Sequence, residues 1–243
     1  MRSNVFREAR IGLFVLALIM LFSLLFYFFA SMFTSMGYGG LRLSKSVSTD
    51  DKQVIVLDAG HGGEDPGAVA NGLIEKELNL HISRTINSLL QSNGYTTVLT
   101  RNDDTLLYNT GQENKKKYYD LRNREAIANE YRNSIFISLH MNKFPMQSCK
   151  GLQVFYSSNN ESSYKLAQSV QESARILQID NKREVKEGNE SIYLLENLKM
   201  PSVLIECGFI SNDIESEMLE LEEYRTALAL SIYCGIAEYL EGI

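Results

Sequence analysis

From Val54 to Leu240, short apolar runs alternate with stretches whose apolar residues recur at helical spacing, and that alternation limits the fold. Val54-Ile-Val-Leu57 reads as a strand. After a Gly-rich loop, Glu75 to Ser92 carries Leu78, Ile82, Ile86, Leu89 and Leu90 at helical spacing, and Asn93-Gly94 supplies the stop. By the same criteria 96–100, 135–139, 152–156 and 203–205 are strands, and 120–132, 161–177 and 224–240 are helices. This predicts an α/β three-layer sandwich, a mostly parallel twisted sheet with helices on both faces. Ligands of such sheets bind outside the carboxyl ends of the strands.

The body, residues 52–243, follows three shorter segments. Ile11 to Ala30 is an apolar run of the roughly 20 residues needed to cross a bilayer as a helix. Arg2, Arg7 and Arg10 stand before it against a single Glu8, which keeps the stub 1–10 in the cytoplasm and sends the body across the membrane. The run is longer than a usual signal-peptide core, which favours a retained transmembrane anchor; small residues around Ala30 and Ser31 leave cleavage open. Residues 31–51, rich in Gly and Ser, read as a linker.

With 24 Lys+Arg against 30 Asp+Glu, the chain lacks the basic excess that nucleic-acid binding requires. Lys115-Lys-Lys117 reads as a solvated loop. Cys149, Cys207 and Cys234 are odd in number and have no C-x-x-C spacing, so they read as buried free thiols rather than a metal or redox pair.

Three segments set polar, metal-competent residues directly after apolar strand runs: Asp58-Ala-Gly-His61, His140 and Glu206. In a parallel sheet these positions share one edge, and Glu75, at the start of the first helix, can reach it. Two His and a carboxylate form a catalytic zinc set with a fourth position left for water. Taken singly, each has a plain structural explanation: a hydrogen-bonded histidine, or a glutamate placed for the helix macrodipole. Glu206 resists that reading, because a carboxylate between Val203-Leu-Ile205 and Cys207-Gly-Phe209 needs a partner or a task. Glu77 and His81, four apart on one helix face, form a rival chelating pair.

The runs VIVLDAGHGGEDPGA (54–68), GLIEKELNL (72–80), LRNREAIAN (121–129), ISLHMN (137–142) and PSVLIECGFISN (201–212) together resemble the zinc-dependent N-acetylmuramoyl-L-alanine amidases across the whole body. The short, undecorated domain is most similar to the germination-specific members from spore formers. The resemblance implies one Zn2+ per chain on His61, Glu75 and His140, with Glu206 as the catalytic carboxylate and His81 structural. It implies peptidoglycan as substrate and a role in cortex modification, where stem-peptide removal precedes muramic-δ-lactam formation; a protein activator as a further partner is left open, since one ligand comes from a loop-proximal helix start. Arg124 either contacts substrate or locks its helix onto the sheet; Asn142 either bonds substrate at the site edge or caps a turn. Met141 and Cys207 depart from the family pattern, which bears on substrate fit. An inactive wall-binding protein of the same fold and a zinc metallopeptidase acting on stem peptides are the alternatives.

Overall fold

The computed structural model describes residues 52–242. The segments at 1–10, 11–30 and 31–51 read above as stub, anchor and linker lie outside the described residues. Among those described, no helix is long and apolar enough to cross a membrane.

The strands are β1 (Val54–Ala59), β2 (Val69–Ala70), β3 (Leu73–Ile74), β4 (Thr96–Leu99), β5 (Ser134–Asn142), β6 (Gln153–Tyr156), β7 (Lys186–Glu187) and β8 (Ser202–Phe209). The helices are α1 (Glu75–Ser92), α2 (Lys116–Asn129), α3 (Ser162–Leu177), α4 (Tyr193–Asn197), α5 (Asp213–Glu220) and α6 (Glu222–Glu241). The main sheet runs β4-β1-β5-β8-β6-β7. Its first four strands are mutually parallel, and β6 lies antiparallel to β8. The expectation of a mostly parallel sheet covered on both faces holds.

Alternation along the strands assigns each residue to a face. Ile55, Leu57, Ile135, Ile137, Leu139, Val203, Ile205 and Cys207 point to the larger core, shared with α1, α3 and α6. Val56 and Phe136 point to a thinner core with Ala128 of α2 and Leu194 and Leu198 at α4. Phe136 is fully buried there, a burial worth about 1.5–3 kcal/mol. Helix α1 forms as its sequence predicts: Leu78, Ile82, Ile86 and Leu90 bury one stripe, and Gly94 takes φ 84° just beyond the C-cap Asn93.

Some readings are corrected. The strand read as 135–139 extends to Asn142 and that read as 203–205 to Phe209, so His140 and Glu206 lie inside strands rather than after them. Helix α2 begins at Lys116, behind a 3-10 turn over Glu113–Lys115, so the three lysines do not form a loop. All three cysteines are free, but only Cys207 is buried; Cys149 is half-buried and Cys234 exposed. Elements β7 and α4 carry no signal in the apolar pattern.

Candidate active site

The chain leaves β1 through Gly60 and enters a loop in which His61 adopts φ 64°, left-handed backbone that a β-carbon disfavours. Several contacts hold it there. Arg124 Nη2 donates to the His61 carbonyl at 2.7 Å, and Gly62 and Asp65 exchange backbone hydrogen bonds of 3.0 Å. Arg101, only 3% exposed, donates to the carbonyls of Ala59, Gly60, Asp103 and Lys76. The loop is thereby fixed from both the sheet and α1.

This clamp presents the His61 imidazole to Glu75, the first residue of α1. Glu75 is 3% exposed; its Oε1 lies 3.3 Å from His61 Nε2 and 2.9 Å from His140 Nδ1. The same carboxylate accepts the Ala68 and Met141 backbone N–H groups at 2.7 and 3.0 Å, and that orients it. Gly67 closes the turn at φ 67°, where a β-carbon would sit 2.5 Å from Glu75 Oε2. Gly60 lies against His140, whose ring atoms would come within 2.4 Å of a β-carbon there.

His61, Glu75 and His140 each offer a ligand atom, all within 4.8 Å of one another. The donor set suits zinc: two imidazoles and a carboxylate, converging from a loop, a helix start and a strand. It is the sole such grouping of three among the described residues, and neither Glu77 nor His81 belongs to it. Glu77 is exposed, and His81 is half-exposed on the outer side of α1. His61 Nδ1 faces Asp65 Oδ2 at 2.8 Å, so the carboxylate fixes which ring nitrogen carries the proton and leaves Nε2 toward Glu75. Burial favours a neutral His61 ring, but the Glu75 and Asp65 carboxylates raise its pKa above the ordinary imidazole value. Burial would also raise Glu75, yet the two imidazoles hold it well below the carboxylate range.

Glu206 stands beside this group because β5 and β8 pair in register, His140 opposite Glu206. Its Oε2 is buried and has no hydrogen-bond partner. Burial, opposed by His140 and reinforced by the Glu75 charge, pushes its carboxyl above the ordinary value. Cys207, the next residue, points into the opposite core at 1% exposure, so it offers no sulfur to the site. The cleft over these groups, about 260 Å³, is walled by Leu121 of α2, by Ile192, Tyr193 and Leu194, and by Leu204.

The two further candidates part ways. Arg124, 1% exposed, donates to Asp120 Oδ2 at 2.8 Å, to Asp58 Oδ1 at 2.6 Å and to the Ala59 carbonyl at 2.8 Å, which is the contact pattern of a lock between α2, β1 and the His61 loop. Asn142 does not line the cleft; its carbonyl accepts the Ile210 N–H at 3.0 Å. Asp65, within the Gly-rich loop after β1, makes a contact that sequence reasoning missed. Its spacing of four from His61 was the available signal.

The sequence pattern of the family described as N-acetylmuramoyl-L-alanine amidase matches residues 55–238. The germination-specific N-acetylmuramoyl-L-alanine amidase of Bacillus subtilis is 35% identical over 189 residues, covering 77% of this chain and 79% of that protein. Among solved structures, the CwlD amidase of Clostridioides difficile, in complex with the GerS lipoprotein, is 39% identical, with a TM-score of 0.75 over 78% of this chain and 99% of that one. Amidase AmiC2 of Nostoc punctiforme is 31% identical, with a TM-score of 0.65 over 78% of this chain and 97% of that one.

Proposed function

Because the chain belongs to the N-acetylmuramoyl-L-alanine amidase family, we propose that it is a zinc-dependent hydrolase cleaving the amide between N-acetylmuramic acid and L-alanine, with zinc on His61, Glu75 and His140. One observation carries the reading: the only convergent His, Glu and His group among the described residues lies beside a buried carboxylate oxygen that has no partner. When bound, zinc supplies a Lewis acid for the scissile carbonyl and brings the pKa of water toward about 7.

The chain's own residues supply positioning and proton transfer. Asp65 holds the His61 tautomer, and the Ala68 and Met141 amides hold the Glu75 carboxylate. Glu206 Oε2, which has no competing hydrogen bond, takes the proton of the attacking water and then gives it to the departing alanine nitrogen. The amine leaves poorly unless protonated, so the second transfer matters as much as the first. The raised pKa of Glu206 suits a group that must hold a proton between the two steps.

The relatives and the N-terminal segment support a setting for this activity. Similarity to a germination-specific amidase supports a role in spore-cortex modification, in which stem-peptide removal prepares muramic-δ-lactam formation. The complex of the C. difficile relative with a lipoprotein supports a protein partner here. The apolar segment 11–30 acts as a single-pass anchor, and the body works outside the cytoplasmic membrane where peptidoglycan lies.

The test is digestion of purified peptidoglycan by the zinc-loaded chain, with mass spectrometry of the products. An intact stem peptide with an L-alanine amino terminus is expected; cleavage within the stem would replace this reading with a peptidase. Glu206→Gln should retain zinc and lose about 10²–10⁴-fold in kcat. A variant that keeps wild-type turnover would remove Glu206 from the mechanism.

A further inference from the structure

Most charges in the cleft are already matched. Asp58 and Asp120 pair with Arg124, Asp65 with His61, and Glu75 with both imidazoles. Lys117, one residue into α2, also lines the cleft, is exposed, and makes no hydrogen bond or ion pair with any described residue. The preceding lysine is committed elsewhere: Lys116 pairs with Glu64 and lies 5.5 Å from the Tyr108 ring centre. The cleft also has apolar lining, Ile192, Leu194 and Leu204 among it.

Apart from Glu206, which the reaction uses, Lys117 is thus the charged side chain of the cleft left without a hydrogen bond or ion pair, and on a chain of net charge −6 such a cation favours negative charge on whatever enters. The stem peptide offers such a charge close to the scissile bond. Its second residue, after L-alanine, is a γ-linked D-glutamate whose α-carboxylate is either free or amidated. An extended residue spans about 3.5 Å, so that carboxylate falls roughly 7 Å beyond the amide that is cut. The third residue lies further out along the γ-linkage. A lysine suits the task, being a compact point charge on a flexible stem.

We propose that Lys117 is a specificity-determining residue that pairs with the free α-carboxylate of the second stem residue and so favours unamidated peptidoglycan. This rests on the amidase reading. The experiment uses the purified, zinc-loaded full chain and two disaccharide tripeptides that differ only at that carboxyl, free or amidated. The wild type should show about tenfold higher kcat/KM on the free carboxylate, with the difference in KM and shrinking as salt rises.

Lys117→Met should bring the ratio of the two kcat/KM values to about one and abolish its salt dependence, while Lys117→Arg, which keeps the charge, should restore most of the preference. Repeating the pair with the third residue's carboxyl amidated should leave the ratio in place. A wild-type ratio near one, or a preference that survives in Lys117→Met, overturns the proposal and leaves the amidase intact. Release of the stem peptide from neither substrate overturns the amidase reading and this proposal with it.

Discussion

Replacing Arg124 with methionine keeps much of the side chain's volume and removes its charge, and it should lower stability by about 3–5 kcal/mol. The guanidinium makes four hydrogen bonds of 2.6–2.8 Å, two to carboxylates and two to backbone carbonyls. Without it, Asp58 and Asp120, 1% and 5% exposed, remain as buried carboxylates. Asp58 keeps only the Thr100 and Ser138 hydroxyls, at 2.7 and 2.6 Å. An ordinary neutral hydrogen bond contributes about 0.5–1.5 kcal/mol, so the stranded charges account for most of the loss. The assay is urea unfolding at pH 7 with linear extrapolation, applied to the wild type, Arg124→Met, Asp58→Asn and the double variant. The double variant should lose at least about 1.5 kcal/mol less than the sum of the singles, because Asp58→Asn removes one of the charges that Arg124→Met strands. A loss under about 1 kcal/mol in Arg124→Met, or strict additivity, would refute the reasoning.

Three further outcomes test neighbouring parts of the structure. Asp65→Asn should weaken zinc binding about 10–100-fold in competition with a chelator, because the carboxylate facing His61 Nδ1 is lost. Gly60→Ala sets a methyl within 2.4 Å of the His140 ring, and should cost at least tenfold in zinc affinity while the circular dichroism of the fold persists. Although burial alone would raise Asp58, its pairing with Arg124 and its hydroxyl contacts hold it below the ordinary value of about 3.9. Its contribution is therefore fully present above about pH 5, well clear of that value, and declines as pH falls below it through the folded-state pKa. Unfolding midpoints measured from pH 7 to pH 3 should fall more steeply for the wild type than for Asp58→Asn.

Much of the fold was legible because its signals are local. Apolar runs and a helical stripe in 75–92 located β1, α1 and the central strands, and the polar residues near strand ends pointed to the edge where His61, His140 and Glu206 meet. Helix α4 and strand β7 were not legible: five and two residues are too short to express a period. The direction of β6 depends on its pairing with β8, which no property of 153–156 encodes. Arg101 and Arg124 act on backbone carbonyls far away in the chain, and a carbonyl leaves no mark in the residue alphabet. Glu75 was ambiguous for a related reason: an acid opening a helix is ordinary, and only the Ala68 and Met141 amides distinguish this one.

His140 and Glu206 are cross-strand neighbours, the last pair of the parallel β5–β8 ladder before its register shifts toward Asn142, so their separation is governed by the strand spacing of about 4.8 Å rather than by any flexible segment. The rim, by contrast, is built by the opening of α2 and the stretch around Tyr193, both outside the sheet. Selectivity can thus drift by remodelling those two pieces while the reacting pair keeps its distance. Transplanting a relative's version of them should retarget the enzyme without retuning its chemistry.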